Sequence, residues 1–328
     1  MIDFKKSLFL KKDLEKLEDS LKKYVFDFEG IIKDILSNTL LAGGKRLRPA
    51  LFLICARNEN YDIDYLLSAA KAIEILHTAS LIHDDIIDNS MLRRGRKTIH
   101  SIYDKDTAKY AGDYLFTYSF CLLNSYKNQE IIKEMAKTSQ QLVIGEFDQL
   151  KTRNLLNQSE DLYIKKINEK TSSLFKLACK LGAVLSNSRP KDIERMEKFG
   201  GYLGIAFQIN DDLIDIDIKK PKSGLDKPAG NDIKQGNITL PFIYALKNRR
   251  FKKKISDILK EKSFNDENAM QIIDAVSETD AVDKAKRRIY FYLNLAKKTI
   301  SQVEGSQRAE GLREVCDLIL KSTGKTHK

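Results

Sequence analysis

Proline is scarce in this chain. There are five, and none lies between Pro49 and Pro190. Nothing in that interval breaks a helix by losing an N–H or by clashing with the preceding turn. Long apolar runs are also missing, and no stretch approaches the roughly 18 residues that a membrane span requires. The N-terminus sets Lys5, Lys6, Lys11 and Lys12 around a very short apolar run, too short for the h-region of a signal peptide. The four cysteines, Cys55, Cys121, Cys179 and Cys316, have neither metal nor redox spacing. They are expected to be reduced, buried thiols of a cytoplasmic protein. A G-x-S-x-G elbow, a catalytic-cysteine context, a Walker loop and a Rossmann fingerprint are all lacking. Nucleophilic and nucleotide-dependent chemistries therefore lose their usual equipment.

What is present points to helix. Of the 328 residues 42% are hydrophobic and 31% charged, the balance of a soluble globular protein. Apolar residues recur at spacings of three and four: Leu14, Leu17, Leu21 and Val25; then Leu66, Ala69, Ala70, Ile73 and Leu76. Ile131 to Phe147 predicts a long central helix, and Leu174 to Val184 the next. The clearest break is Lys219 to Leu240, which holds Pro221, Gly224, Pro228, Gly230 and Gly236 and reads as a long polar loop. Pro241 suits the first turn of a following helix. The expectation is one all-α domain over residues 1–328.

Two copies of D-D-x-x-D carry the chemistry: Asp84, Asp85 and Asp88, then Asp211, Asp212 and Asp215. Helix positions four apart share a face, so Asp84 and Asp88 point together, as do Asp211 and Asp215. Two such faces meeting across a cavity would crowd carboxylates that must protonate or bind cations. Mg²⁺ suits them, because it commonly bridges protein carboxylates to a substrate phosphate.

Cations accompany the aspartates. Gly43-Gly44-Lys45-Arg46-Leu47-Arg48-Pro49 sets three on a glycine-led turn, and arginine offers a bidentate fork for phosphate. Such a loop also serves to cap one helix and start the next. Arg93-Arg94-Gly95-Arg96 follows the first acidic pattern, as ion-pair partners or as phosphate contacts. His77 lies two helical turns before Asp84. The net charge of +11 suits phosphorylated substrates or anionic lipid. No nucleic-acid module accompanies it, so nucleic acid is not an expected partner. Metals plus cations suit a reaction in which a diphosphate is held or made to leave.

Together these motifs resemble the trans-isoprenyl (polyprenyl) diphosphate synthases. The resemblance rests on G-G-K-R-L-R-P at 43–49, H-T-A-S-L-I-H-D-D-I-I-D at 77–88 and L-R-R-G-R at 92–96. It continues with G-D-Y-L-F at 112–116, E-K-T at 169–171, Q-I-N-D-D-L-I-D at 208–215 and T-L-P at 239–241. Local matches such as G-E-F-D-Q-L-K look most like the catalytic subunit of bacterial heptaprenyl and hexaprenyl diphosphate synthases. The family implies a large bundle of long antiparallel helices around a central cavity. It implies Mg²⁺ held by Asp84, Asp88, Asp211 and Asp215, with Asp85 and Asp212 as ligands or as groups behind them. Arg93, Lys170 and Lys227 match allylic-diphosphate contacts. Thr171 and Gln208 match positions near the developing carbocation. Lys45, Arg48, His77 and Arg94 match the isopentenyl diphosphate site. Many relatives carry a lysine where Asn237 stands, so one allylic-site cation is missing.

The implied reaction is head-to-tail condensation of isopentenyl diphosphate with an allylic diphosphate. The implied assembly is a homodimer, or a heteromer with a small regulatory subunit, with transient membrane contact when product leaves. Ala79 and Ser80, five and four residues before Asp84, are expected to face the product channel. Both are small, so a product of C30 to C40 is expected. A C20 or C15 synthase, or another class I isoprenoid enzyme, is the alternative.

Overall fold

The computed structural model describes residues 8–216, 230–260, 264–303 and 306–323. Lys227, and the first half of the loop expected from Lys219 to Leu240, lie outside them. The first half holds α1 (Leu8–Phe26), α2 (Gly30–Leu40), α3 (Leu47–Ala56), α4 (Ile63–Ile87), α5 (Ile99–Ile102), α6 (Lys105–Asn124) and α7 (Gln129–Thr152). Then come α8 (Glu160–Ile167), a π-helical turn (Asn168–Ser172), α9 (Ser173–Leu185) and α10 (Pro190–Asp215). The remainder is α11 (Asn231–Lys234), α12 (Leu240–Ala245), α13 (Arg249–Lys254), α14 (Asp266–Ser277), α15 (Ala281–Ile300) and α16 (Ser306–Ser322). The fold is all-α, as the periodicity predicts.

Local chemistry sets the helix starts. The Asp62 side chain accepts from the Asp64 N–H at α4, Asp104 from Thr107 at α6, Asn128 from Glu130 at α7 and Ser159 from Leu162 at α8. Pro190 and Pro241 occupy first turns. The expected polar loop is interrupted by α11, where Asn231 to Lys234 close one helical turn that buries Ile233.

α4 is the central helix. Leu66, Ile73, Leu76, Ala79 and Ile82 are buried against its neighbours, which include α3, α6 and α9. α6 runs antiparallel to it: Gly112 lies beside His83, and Tyr126 donates to the Tyr65 carbonyl at the other end. α10 lies antiparallel on α9, with Gly204 against Ser172 and Gly201 against Lys176. Contrary to the sequence reading, α4 is long and apolar enough, by length and composition alone, to cross a membrane. Most of its apolar surface is spent on the core. The cysteine expectation also needs one correction: Cys55, Cys179 and Cys316 are buried, but Cys121 is exposed on α6.

A two-residue hairpin follows α4, pairing Leu92 with Lys97 and Arg93 with Arg96. Its turn residues, Arg94 and Gly95, have φ of 51° and 74°. That is the left-handed pair a tight hairpin requires, and it explains why glycine sits inside an arginine run.

Candidate active site

Both acidic patterns end long helices. Asp84 and Asp85 occupy the last turn of α4 and Asp88 caps it; Asp211, Asp212 and Asp215 close α10. Carboxylates at a helix C-terminus face the negative end of its dipole, so something else must hold them there. Asp84, Asp88 and Asp211 line a cavity of about 1280 Å³. Its wall includes Leu76, His77 and Ser80 from α4, Phe116 from α6, and Ser139, Leu142, Glu146 and Phe147 from α7. Lys170, Thr171, Leu174, Phe207 and Gln208 complete much of the rest.

The first cluster is held by cations. Lys170 Nζ lies 3.7 Å from Asp84 Oδ1 and pairs with Glu146. Burial opposes the Lys170 charge, but Asp84 and Glu146 outweigh it and its pKa rises. Arg153 donates to Asp88 at 2.8 Å. Asp85 is buried, and both its oxygens accept from Arg93 Nε at 2.8 Å. Burial works against the Arg93 charge too, yet Asp85, Asp84 and Asp88 raise its pKa.

Lys170 and Thr171 stand on the π-helical turn, a distortion that often marks functional sites. Two glycines let that turn approach. A Cβ on Gly145 of α7 would lie 2.6 Å from the Lys170 backbone nitrogen, and one on Gly204 of α10 2.7 Å from Ser172 Cα. Thr171 Oγ1 donates to Gln208 Oε1 at 2.7 Å.

In the second cluster Asp211 faces the cavity and Asp212 does not. Asp212 is buried, accepting from Tyr163 at 2.5 Å and from Gln208 at 2.8 Å. Burial first, then neighbouring Asp232, pushes its pKa well up. Asp215 accepts from the Asp232 backbone N–H at 3.2 Å. Lys166 is buried in the field of Asp212 and Asp232; burial pulls its pKa down and those carboxylates pull it back. Asn237 is buried, with its amide nitrogen 3.2 Å from Gln235 Oε1.

The basic motif forms another part of the same wall. Gly43 has φ of 80°, a turn that glycine adopts without strain, and its carbonyl accepts from Arg94. A side chain on Gly44 would meet the Arg94 guanidinium at 2.7 Å. Arg48 contacts His77 Nε2 at 3.0 Å and stacks 4.9 Å from the Phe175 ring centre. Burial pushes Arg48 down to about 10. Burial, then Arg48, Arg94 and Arg93, holds His77 well below 6.5, so a neutral imidazole accepts from Arg48. The Nε of Arg48 is buried with no hydrogen-bond partner among the described residues, a donor suited to an anion. Lys45 is exposed at the cavity rim. Arg46 plays a different part: it turns inward to Glu18 at 2.8 Å, Glu74 at 2.6 Å and the Leu40 carbonyl.

The structure thus gathers Lys45, Arg48, His77, Asp84, Asp88, Arg93, Arg94, Lys170, Thr171, Gln208 and Asp211 around one cavity. Asp85, Asp212 and Asp215 stand behind or beside it. Glu146, Arg153 and Tyr163 were not foreseen, because each reaches the site only through packing. Ala79 is fully buried in the core, while Ser80 lines the cavity, which corrects half of the channel expectation. Among the described residues no three His, Cys, Asp or Glu side chains form a ready metal cage. Mg²⁺ does not require such a cage, since it takes one or two carboxylates and completes its octahedron with water and substrate phosphate.

The chain resembles known proteins of one family. A sequence profile of the family "Polyprenyl synthetase" matches residues 29–276. "Heptaprenyl diphosphate synthase component 2" of Geobacillus stearothermophilus is 36% identical over 288 residues, covering 88% of this chain and 89% of that one. Heptaprenyl diphosphate synthase from Staphylococcus aureus superposes with a TM-score of 0.87 at 28% identity, covering 97% and 99% of the two chains. The polyprenyl synthase of Caulobacter crescentus CB15, solved with calcium and isoprenyl diphosphate, gives 0.88 at 28% identity over 95% of each. With its helical cavity, paired aspartate motifs and cationic turn, the chain belongs to the polyprenyl synthetase family of prenyltransferases.

Proposed function

We propose that this chain is a Mg²⁺-dependent trans-polyprenyl diphosphate synthase that adds isopentenyl diphosphate to an allylic diphosphate, head to tail. One observation carries the reading. Aspartates from two helix ends and the Arg48–His77–Arg94 group line the same cavity, so one space offers places for two diphosphates. Asp84, Asp88 and Asp211 would hold Mg²⁺, which when bound supplies the positive charge that makes a diphosphate leave. Lys170 and Arg93 meet the allylic diphosphate, and Lys45, Arg48, Arg94 and neutral His77 meet the other substrate. Thr171 Oγ1 and Gln208 Oε1 border the space where the allylic cation develops. The apolar wall of Leu76, Leu142, Leu174 and Phe207 excludes water from that cation. The alkene attacks it, and the proton leaves to the released diphosphate.

A product of C30 to C40 fits the cavity. Its volume of about 1280 Å³ exceeds the roughly 300–1,000 Å³ of pockets for drug-sized ligands. The small Ser80 leaves the channel open below Asp84. The name of one relative, heptaprenyl diphosphate synthase, points the same way, while that of another, solanesyl diphosphate synthase, points to a longer chain. Tyr110, Val143 and Phe147 are 67%, 52% and 57% exposed on α6 and α7, apolar surface that suits a second copy or a small subunit.

Purified chain with Mg²⁺, isopentenyl diphosphate and farnesyl diphosphate should yield products that mass spectrometry places at C30 to C40. Asp84→Ala should abolish them while far-UV circular dichroism stays helical. Turnover without isopentenyl diphosphate would favour a cyclase. Activity only after adding a small subunit would establish a heteromer.

A further inference from the structure

Asp212 stands in an acidic motif but points away from the cavity. It is 3% exposed, and both of its oxygens are taken by neutral donors. Tyr163 of α8 donates to Oδ2 at 2.5 Å, and the Gln208 amide nitrogen donates to Oδ1 at 2.8 Å. Gln208 Oε1 in turn accepts from Thr171 at 2.7 Å. Four side chains from α8, α10 and the π-helical turn therefore form one continuous chain of hydrogen bonds. Its far end, Thr171 and Gln208, is cavity wall; its near end, Tyr163, is 1% exposed.

The chain has a direction. A glutamine amide can present either its oxygen or its NH₂ to a space. Here the NH₂ of Gln208 donates to Asp212 Oδ1 at 2.8 Å. Thr171 then donates to the oxygen, and the negative end of the amide dipole borders the cavity. Lys166, on the next turn of α8, sets a positive charge within the field of Asp212, and Asp232 and Asp211 set negative ones.

We propose that Tyr163 and Asp212 are positioning residues that fix the amide of Gln208 with its oxygen toward the reacting allylic carbon, and that Asp212 is not a metal ligand. The inference rests on the prenyl-transfer reading above. A fixed dipole aimed at developing charge stabilises a transition state without reorganising. A ligand role for Asp212 would instead require it to leave two short hydrogen bonds.

The test separates these roles. Asp212→Asn retains the shape but offers Gln208 either an oxygen or an NH₂, so the amide can flip. Its kcat should fall by on the order of 10²-fold, the scale for losing one preorganised electrostatic group. The KM of both diphosphates should stay within about twofold, less than 1.4 kcal/mol of binding. Tyr163→Phe, which removes one anchor of two, should lower kcat by about tenfold with KM unchanged. Binding is read independently, by electron paramagnetic resonance of Mn²⁺ titrated into each protein with inorganic pyrophosphate. Wild type and both variants should bind the same number of ions with the same affinity. Loss of an ion in Asp212→Asn overturns the proposal in favour of a ligand role. Unchanged kcat in Tyr163→Phe overturns the relay, even if Asp212→Asn fails to fold. If wild type takes up no Mn²⁺ with pyrophosphate, the functional reading itself fails, and the proposal with it.

Discussion

Gly145→Ala isolates what the π-helical turn does. Gly145 faces that turn from α7, and a methyl there would meet three Lys170 atoms: N at 2.6 Å, Cα at 2.9 Å and Cβ at 2.9 Å. These fall roughly 1 Å short of the 3.5–4.0 Å at which such contacts are favourable. Two of the atoms are backbone, so no rotamer change relieves the clash and the turn must move. The stability effect should be modest. Overpacking costs about 1–3 kcal/mol, while alanine regains about 1 kcal/mol of helix propensity over glycine. The net loss is roughly 0–2 kcal/mol, a small change in melting temperature. Activity should respond far more. The turn carries both Lys170 and Thr171, and misplacing reacting groups by 1 Å can cost about 10²-fold. Gly201→Ala is the matched control, because its methyl would meet only the flexible Lys176 side chain, nearest at Cε, 2.8 Å. Initial rates of product formation, with thermal melts of both variants, decide the matter. Gly145→Ala turning over within twofold of wild type, or Gly201→Ala losing as much, would mean that the turn does not place Lys170 and Thr171 for the reaction.

Three further outcomes follow from the same geometry. Ser80→Phe should shorten the products seen by mass spectrometry, since Ser80 lines the cavity about 6 Å along α4 from Asp84; Ala79→Phe should instead destabilise the core by about 1–3 kcal/mol. Arg46→Ala strands the buried Glu74 and should cost about 3–5 kcal/mol in urea unfolding, whereas Arg46→Met with Glu74→Leu should recover much of it. His77 has a folded pKa below its unfolded value of 6.5, so the unfolded chain binds more protons under that pH. Its contribution is present above 6.5 and lost as pH falls toward the folded value, by at most about 1.4 kcal/mol per pH unit, and His77→Gln should flatten that slope in melts taken from pH 7 to 5.

Much of the site was legible in the sequence because its parts are short and local. The D-D-x-x-D spacing fixes which carboxylates share a helix face, and the scarcity of proline leaves α4 and α10 unbroken. What escaped depends on rotation and on packing. Ser80 and Ala79 are neighbours, yet one residue is about 100° around a helix. That angle puts Ser80 below Asp84 in the cavity and Ala79 in the core. Glu146, Arg153 and Tyr163 lie on other elements, and no spacing relates them to the aspartates they meet. Arg46 sits between Lys45 and Arg48 in one basic run, but its positive φ of 47° turns it inward to Glu18 and Glu74. The same composition thus supplies a rim cation, a buried structural cation and a wall cation, and only the backbone separates them.

Both acidic patterns stand where a helix least favours them. A carboxylate at a C-terminus costs about 0.3–1 kcal/mol against the dipole, and a lysine there would gain as much. The structure meets this opposition with cations brought from elsewhere: Lys170 at Asp84, Arg153 at Asp88 and Arg93 at Asp85. These pairs differ in kind. Arg93 engages both oxygens of a buried carboxylate, a geometry that holds the hairpin in place. Lys170 stands 3.7 Å from Asp84, a loose pair on the cavity wall. A polyanion can therefore meet Lys170 by displacing only its loose contact with Asp84, and meet Arg93 without parting it from Asp85. The arrangement gives up helix-end stability to keep Asp84 and Asp88, each beside its own cation, on the wall of a cavity that also holds Lys45, Arg48 and Arg94.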